Sequence, residues 1–479
     1  MSIIDLIEKN VVKNPTKIAI IDEQEQISYS KLLHEIKNFS NKLSFLEKKD
    51  VITLVSENSI AFVISYFGII NSGKIVHLVS PEITENNLLE QLDNADSEAI
   101  ICPRSYMDKI SNIKSIKIPI FYIEEIFSMQ NSLHNNKFKN EITYLIYTSG
   151  TTSKPKGVAV SQSMIEFTTK NIIDVLGYSD SDIDLVPLPL NHSFGLGCVH
   201  TSLFAGSTLV LIKNSANLEK IIETIDKFSI TTLAAIPATL TKLLKLNIKN
   251  FEKIFENIRL IMTNSTTIPK KTVLEYKKIL RNGNLATYYG LTEASRSTFM
   301  IFDNKNAREE SVGRISPNVK IKIQNEKHDY SKIGEIYIKG KNVIDKYWKN
   351  LEADKNFIDG WLKTGDMGYF DEEGFLFLKG RTDDIINIGG EKVSPFEIEE
   401  KVKEIQGIED IAAFGISHEI FGQTIKLCIV KSKDSTIDKS QILNYCIKNL
   451  EKYKIPSKID FVESIPKTEY GKVKRFMLK

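Results

Sequence analysis

Residues 147–161 read YTSGTTSKPKGVAVS and follow directly on the apolar YLI. Small hydroxyl residues, two glycines and two lysines around a proline make this the stretch most suited to chemistry. A Gly-rich, hydroxyl-rich loop leaving a strand is a natural polyphosphate cradle: its N–H groups converge on oxygens and its small side chains let them approach. A mobile surface loop would explain the Gly and Ser, though not lysines framing a proline. The stretch is not a Walker A loop, which needs Gly-Lys-Ser/Thr five residues past its first Gly; here Pro155 stands five past Gly150.

The elements that must carry such a loop follow from periodicity. Residues 29–46 have helical apolar spacing, DVITLVS reads as a strand, AFVISYFGII (61–70) as a buried helix and KIVHLVS as a strand. SEAIIC and IPIFYI repeat the buried-strand signal, and the rhythm resumes at STLVLI, ITTLAAI and IRLIMT. Strands alternating with helices predict an α/β fold, a large N-terminal domain of helix-flanked, mixed or parallel sheets. After residue 291 the character changes: GEIYIKG, WLKTGDMGYF and FLFLKGR are short strands separated by turns such as residues 371–374, a small antiparallel β section. Past Arg381 a helix (SPFEIEEKVKEI), two strands (IEDIAAFGI, IKLCIVK) and a helix over 442–453 predict a small α+β C-terminal domain. The expected domains are 1–380 and 381–479, divided where Gly380, Arg381, Thr382 and Asp383 interrupt the apolar pattern.

Totals narrow the class. The 479 residues exceed one ordinary domain, and 42% hydrophobic with 26% charged residues suits a globular protein with ample core. A net charge of +2, with acids and bases interleaved, shows no bias toward nucleic acid or anionic membranes. Four cysteines without CxxC spacing indicate neither a zinc site nor a disulfide framework, so a reduced, cytoplasmic setting is expected. The N-terminus lacks signal-peptide character, and the apolar window 61–70 is far short of the about 20 residues a spanning helix needs, so no membrane span is expected.

Five segments, in order, carry a resemblance: YTSGTTSKPKG (147–157), YYGLTEAS (288–295), WLKTGDMGYFDEEGFLFLKGR (361–381), INIGGEKVSPFEIE (386–399) and IPKTEYGKVKR (465–475). The chain resembles the adenylate-forming (AMP-binding) superfamily of acyl-CoA synthetases, adenylating domains and luciferases over nearly its whole length. Among these it looks most like the stand-alone acyl- and aryl-CoA synthetases. The resemblance implies an ATP-dependent ligase that joins a carboxylate to ATP, forming an acyl-adenylate and pyrophosphate, then passes the acyl group to a thiol. Thr148, Ser149, Gly150, Thr151 and Thr152 would hold the β- and γ-phosphates with Lys156, while Lys154 reads equally as solvated surface. Tyr289, beside Gly290, would stack on adenine, Thr292 would bond the α-phosphate and Glu293 would hold Mg²⁺. Thr292 and Glu293 also suit a helix start. Asp366 and Arg381 would take the ribose, and Lys472 would bridge carboxylate and α-phosphate on its flexible stem. Asp383 matches the hinge about which the C-terminal domain swings. Gly389 and Gly390 would line the thiol tunnel or form a simple tight turn. Asn387 stands where some relatives carry a lysine used in thioester formation.

For the acid, PLPLNHSFGLG (187–197) resembles the segment where a histidine, here His192, flanks the carboxylate pocket. No aspartate for a substrate ammonium occurs there. Where many relatives carry a small Gly-Ala-Ala-Pro-like run, this chain has Asn264, Ser265, Thr266 and Thr267, which predicts a small or polar acid rather than a long fatty acid. Arg296 is expected to read a second substrate carboxylate or to serve as a structural ion-pair partner. The expected thiol is CoA. The alternatives are the phosphopantetheine arm of a carrier protein and a catalytically silent adenylate-binding protein, against which the joint presence of Thr292, Glu293, Asp366 and Lys472 argues.

Overall fold

The computed structural model describes residues 3–129, 140–148, 155–213, 217–246, 251–303, 308–325, 332–388, 391–467 and 473–478. Its large N-terminal part is built on two long sheets. The nine-stranded sheet runs Arg314–Ile315, Thr298–Phe302, Asn284–Tyr289, Leu260–Thr263, Thr232–Ala234, Ile183–Val186, Thr208–Leu211, Ile18–Ile21, Gln26–Ser28. The seven-stranded sheet runs Tyr347–Trp348, Lys156–Ser161, Ile142–Thr148, Ile75–Val79, Val51–Val55, Ser97–Cys102, Ile120–Tyr122. Val51–Val55 and Ile75–Val79 are parallel and buried at every position, as expected for strands covered on both faces.

One continuous core joins the two sheets. It takes Leu209, Met262 and Ala286 from the first, Ile52, Leu78 and Ile146 from the second, and the helices between them. The helices Ile60–Asn71 and Ser193–Ala205 are apolar nearly all round and buried over most of their length, the pattern of a helix with no solvent face. Ser59 starts the first of them, its hydroxyl accepting from Phe62 N at 3.0 Å. Among the described residues no helix is long and apolar enough to cross a membrane.

The antiparallel section is a third sheet, with Lys320–Gln324, Gly334–Lys339, Trp361–Phe370 and Phe357–Ile358 in order and Leu376–Arg381 also paired to Trp361–Phe370. Its hairpin turn is closed by Asp371, whose Oδ1 accepts from Phe375 N at 2.8 Å, and by Gly374 at φ +80°. A small C-terminal unit follows with its own core, built on Ile386, Ile398, Ile411, Leu427 and Ile442.

Two expected elements shift. The last helix spans Lys439–Asn449 rather than 442–453, because Asp438 and Gln441 form a reciprocal capping box that fixes its start. Of IPIFYI only Ile120–Tyr122 is a strand; Ile123 already opens the helix Ile123–Ser128.

Candidate active site

The described ends of the phosphate-cradle stretch lie on two paired strands. Ile142–Thr148 and Lys156–Ser161 pair antiparallel, with Thr148 opposite Lys156. Ser149, Gly150, Thr151, Thr152 and Lys154 lie outside the described residues. Beyond Lys156–Ser161 the sheet ends in the two-residue strand Tyr347–Trp348, with Tyr347 opposite Val158. That edge strand brings Tyr347 under Lys156, whose Nζ lies 5.9 Å from the ring centroid. The Tyr347 hydroxyl in turn donates to Glu293 Oε1 at 3.1 Å. Burial, and then the neighbouring Glu293 carboxylate, push the phenol well above its ordinary pKa, so it remains a donor.

Glu293 sits in a tight turn in which Leu291 and Ala294 exchange backbone hydrogen bonds. No helix follows, so Thr292 and Glu293 cap nothing and the helix-start reading falls. Gly290 is dictated by the turn: a Cβ there would lie 2.6 Å from Arg296 N and 2.7 Å from Ala294 O.

At the start of the same segment, Tyr289 donates its hydroxyl to Asp366 Oδ2 at 2.7 Å. Antiparallel register sets Asp366 opposite Arg381, whose Nη1 donates to Asp366 Oδ1 at 2.8 Å. Asp366 N donates to Thr364 Oγ1 at 3.0 Å, so the residue is held through its backbone as well as its side chain. Gly365 (φ +74°) lets the guanidinium close in, since a Cβ there would stand 2.9 Å from Arg381 Nη2.

A small cavity of about 10 Å³ opens at the far end of this segment, lined among others by Ser193, Gly197, His200, Thr292, Ser295 and Arg296. It unites Thr292 with Arg296 but does not include His192, Asn264, Ser265 or Thr266. Asn264 donates to Tyr288 O at 2.7 Å and Ser265 adopts φ +88°, so this polar run braces the end of the Leu260–Thr263 strand. His192 holds the N-cap position of Ser193–Ala205, and burial lowers its pKa to about 4, leaving a neutral imidazole at pH 7. The ion-pair reading of Arg296 finds no carboxylate partner among the described residues; its guanidinium bonds Ser295 Oγ and Ser193 O.

Lys472, Gly389 and Gly390 lie outside the described residues, but the frame of the lysine is visible. Lys467 and Val473 form an antiparallel bridge, and Lys474 N donates to Pro466 O at 2.8 Å. Arg475 pins this end of the chain, reaching Glu399 Oε1 at 2.6 Å, Asp384 Oδ2 at 3.1 Å and Ala413 O at 3.1 Å. Asp383 is exposed within the single turn Thr382–Asp384, between the last strand of the third sheet and Ile386 of the small core.

Sequence reasoning missed Tyr347, Ser193, Gly197, Ser295 and His200. Tyr347 lies 54 residues from Glu293, and no local pattern marks an edge-strand tyrosine as a carboxylate partner.

Comparison with known proteins gives the family of the chain. The profile of the AMP-binding enzyme family matches residues 7–348, and that of the AMP-binding enzyme C-terminal domain matches residues 397–472. The chain is 29% identical to 2-succinylbenzoate–CoA ligase of Listeria monocytogenes, covering 99% of this chain and 98% of that one. It is 27% identical to the long-chain-fatty-acid–CoA ligase of Haemophilus influenzae, covering 100% and 94%. The o-succinylbenzoate CoA synthetase (MenE) of Bacillus subtilis, solved with its acyl-adenylate intermediate, superposes with a TM-score of 0.89 at 25% identity, over 99% of this chain and 97% of that one. ATP-bound MatB of Rhodopseudomonas palustris shares the fold, with a TM-score of 0.92 at 24% identity over 100% and 98%. With a family match across most of its length, the chain belongs to the AMP-binding enzyme family.

Proposed function

We propose that the protein activates a short carboxylic acid with ATP, releasing pyrophosphate, and passes the acyl group to the thiol of CoA. One observation carries this reading: the single segment 289–296 reaches three polar environments at once. Tyr289 contacts the Asp366–Arg381 pair, Glu293 contacts Tyr347 beside the hairpin, and Thr292 and Arg296 face the cavity. A ribose, a triphosphate and an acid laid along one turn match these three places.

In the first step a carboxylate oxygen attacks the α-phosphorus in line and pyrophosphate leaves. Both reactants are anionic, so the residues must position them and neutralise developing charge. Thr148, with Ser149, Gly150, Thr151 and Thr152, would hold the leaving phosphates, and Lys156 would add charge. Thr292 would donate to the α-phosphate, and Lys472 would bridge it to the carboxylate. Asp366 and Arg381 would fix the ribose, with the face of Tyr289 toward adenine and His192 flanking the acid. A carboxylate has lone pairs beyond those used by Tyr289 and Arg381, which leaves Asp366 able to accept from ribose hydroxyls.

Mg²⁺ fits the donor set. Glu293 presents a carboxylate oriented by Tyr347, and among the described residues no group of three or more His, Cys, Asp or Glu gathers. That suits a hard cation held by one carboxylate and shared with phosphate oxygens, where it would offset phosphate charge. In the second step the CoA sulfur attacks the acyl carbonyl and AMP leaves. Rotation of residues 381–479 about Asp383 would withdraw Lys472 and bring Gly389 and Gly390 to the thiol. The CoA-ligase names of the full-length relatives favour CoA over a carrier protein. The polar lining of the cavity, with Ser193, Thr292, Ser295 and Arg296, favours a small or polar acid over a long alkyl chain. A cytoplasmic setting accords with the four unpaired cysteines.

The test is acid-dependent ATP–pyrophosphate exchange. Glu293→Gln and Asp366→Asn are each expected to lower exchange by roughly 100-fold. Full exchange in both variants would refute the placement of the nucleotide.

A further inference from the structure

Arg296 is 4% exposed and stands alone in charge. Arg259, Arg308, Arg381 and Arg475, the other inward-turned arginines with ion pairs, each meet a carboxylate within 3.1 Å. Arg296 instead donates from Nη1 to Ser295 Oγ at 2.6 Å and from both Nη atoms to Ser193 O at 3.3 Å. A guanidinium carries five N–H groups. Among the described residues the Nε–H is buried without a partner, and the neighbouring Nη2, which carries two N–H groups, bonds only Ser193 O. The Nε–Nη2 edge is a planar fork whose spacing matches the two oxygens of a carboxylate.

Among the described residues the surroundings supply no anion paired with it. Burial first, and Arg296 second, push the pKa of His200 down to about 3, and burial keeps the Tyr144 and Tyr288 phenols protonated. The guanidinium rests on the Tyr288 ring, 5.0 Å from its centroid. Burying a charge without a counter-charge is costly, and here two further costs accompany it. Arg296 adopts φ +51°, a left-handed conformation unusual for a long side chain. The interior of the helix Ser193–Ala205 carries Gly197, where a Cβ would lie 2.0 Å from Arg296 Nη2. Such local violations gather at functional sites, and all three serve to seat one cation at the cavity that Thr292 also lines.

We infer that Arg296 selects acids bearing a second carboxylate: one is activated beside Thr292 while the other docks on the Nε–Nη2 edge of Arg296. This rests on the acid-activating function proposed above and narrows its substrate class to short dicarboxylic acids. Arg296 is a specificity-determining residue, not a participant in the bond changes. A monocarboxylate of the same shape leaves the fork unpaired, and a site built around buried polar groups rejects an analogue lacking the partner strongly.

The experiment compares succinate, glutarate and phthalate with butyrate, valerate and benzoate. ATP–pyrophosphate exchange is read alongside calorimetric binding of each acid in the presence of a non-hydrolysable ATP analogue. The wild type is expected to favour each dicarboxylate by about 1,000-fold or more in kcat/KM. In Arg296→Met, dicarboxylate activation falls at least about 100-fold while monocarboxylate activation rises, reversing the order. The melting temperature of ligand-free Arg296→Met rises, because an unpaired buried charge is gone; a structural arginine would move it the other way. Gly197→Ala, which keeps the charge but displaces it, reproduces the specificity loss in a folded protein. Equal use of both acid classes by the wild type overturns the inference, as does a uniform loss in Arg296→Met with a lowered melting temperature. If the ATP analogue binds and no dicarboxylate does, the Arg296 assignment alone fails; if no nucleotide binds, the activating function fails with it.

Discussion

Tyr347 and Glu293 make the contact on which the proposed Mg²⁺ site turns. The phenol is held protonated by burial and donates to a carboxylate, and a hydrogen bond to a charged group contributes about 1.5–3 kcal/mol. Tyr347→Phe keeps the ring under Lys156 but frees the carboxylate to rotate. Pyrophosphate release in a Mg²⁺ titration is expected to fall roughly 10- to 100-fold in kcat/KM, with half-saturation moving to higher Mg²⁺. Unchanged Mg²⁺ dependence would remove Tyr347 from the site. Glu293 itself was legible from its neighbours in YYGLTEAS, whereas its partner was not, since only the pairing of Tyr347 with Val158 brings the two together. Arg296 was legible as a candidate, but whether it meets an anion depends on Ser193, 103 residues away. The Asn264–Thr267 run reads polar, and its polarity goes partly into a backbone bond to Tyr288 rather than into the cavity.

At the scale of elements, register does the positioning. The strands Trp361–Phe370 and Leu376–Arg381 were readable to within a residue or two because alternation and a turn at 371–374 bound them. Their pairing then sets Asp366 against Arg381 without further instruction. Arg381→Lys keeps the charge and loses the fork, so the KM for ATP is expected to rise about tenfold while the acid KM holds; equal change in both would indicate general damage. The C-terminal segment is anchored differently. Arg475 is pinned to Asp384 and to Glu399, whose side chain is 7% exposed. Arg475→Ala would leave Glu399 buried without its cation, at a cost of about 3–5 kcal/mol. The expected result is early denaturant unfolding of the small domain with loss of pyrophosphate release. A single unshifted transition would contradict it.

For the whole molecule, buried histidines set the acid limit. His77, His192 and His200 have pKa values pushed down to about 4, about 4 and about 3, each first by burial. Their folded values lie below the unfolded one near 6.5, so the unfolded chain binds more protons between about pH 6.5 and 4. Stability is therefore complete above that window and drains away as pH falls through it, on the order of 3 kcal/mol for fully buried His77. Asp184, raised to about 6 by burial, runs the other way over part of the range, as do Glu335, Glu399 and Glu400, each raised first by burial. Melting temperature is expected to fall steadily from pH 7 to 4.5; a flat profile would show that these histidines are not protonated on unfolding. The two-sheet core was readable in outline from alternating strands and helices. The sharing of one core between two sheets was not, because nothing local tells a helix which two surfaces will enclose it.

The proposal at stake is a two-step ligase in which Lys472 serves only the first step. The direct measurement is single-turnover chemistry with a saturating short dicarboxylic acid, following pyrophosphate, AMP and acyl-CoA in wild type and Lys472→Ala, with synthetic acyl-adenylate supplied separately. The wild type should release pyrophosphate first and then AMP together with acyl-CoA. Lys472→Ala should lose pyrophosphate release by a factor of at least about 100 yet still convert supplied acyl-adenylate and CoA to thioester. Equal loss of both steps, or thioester formation without prior pyrophosphate release, would contradict it.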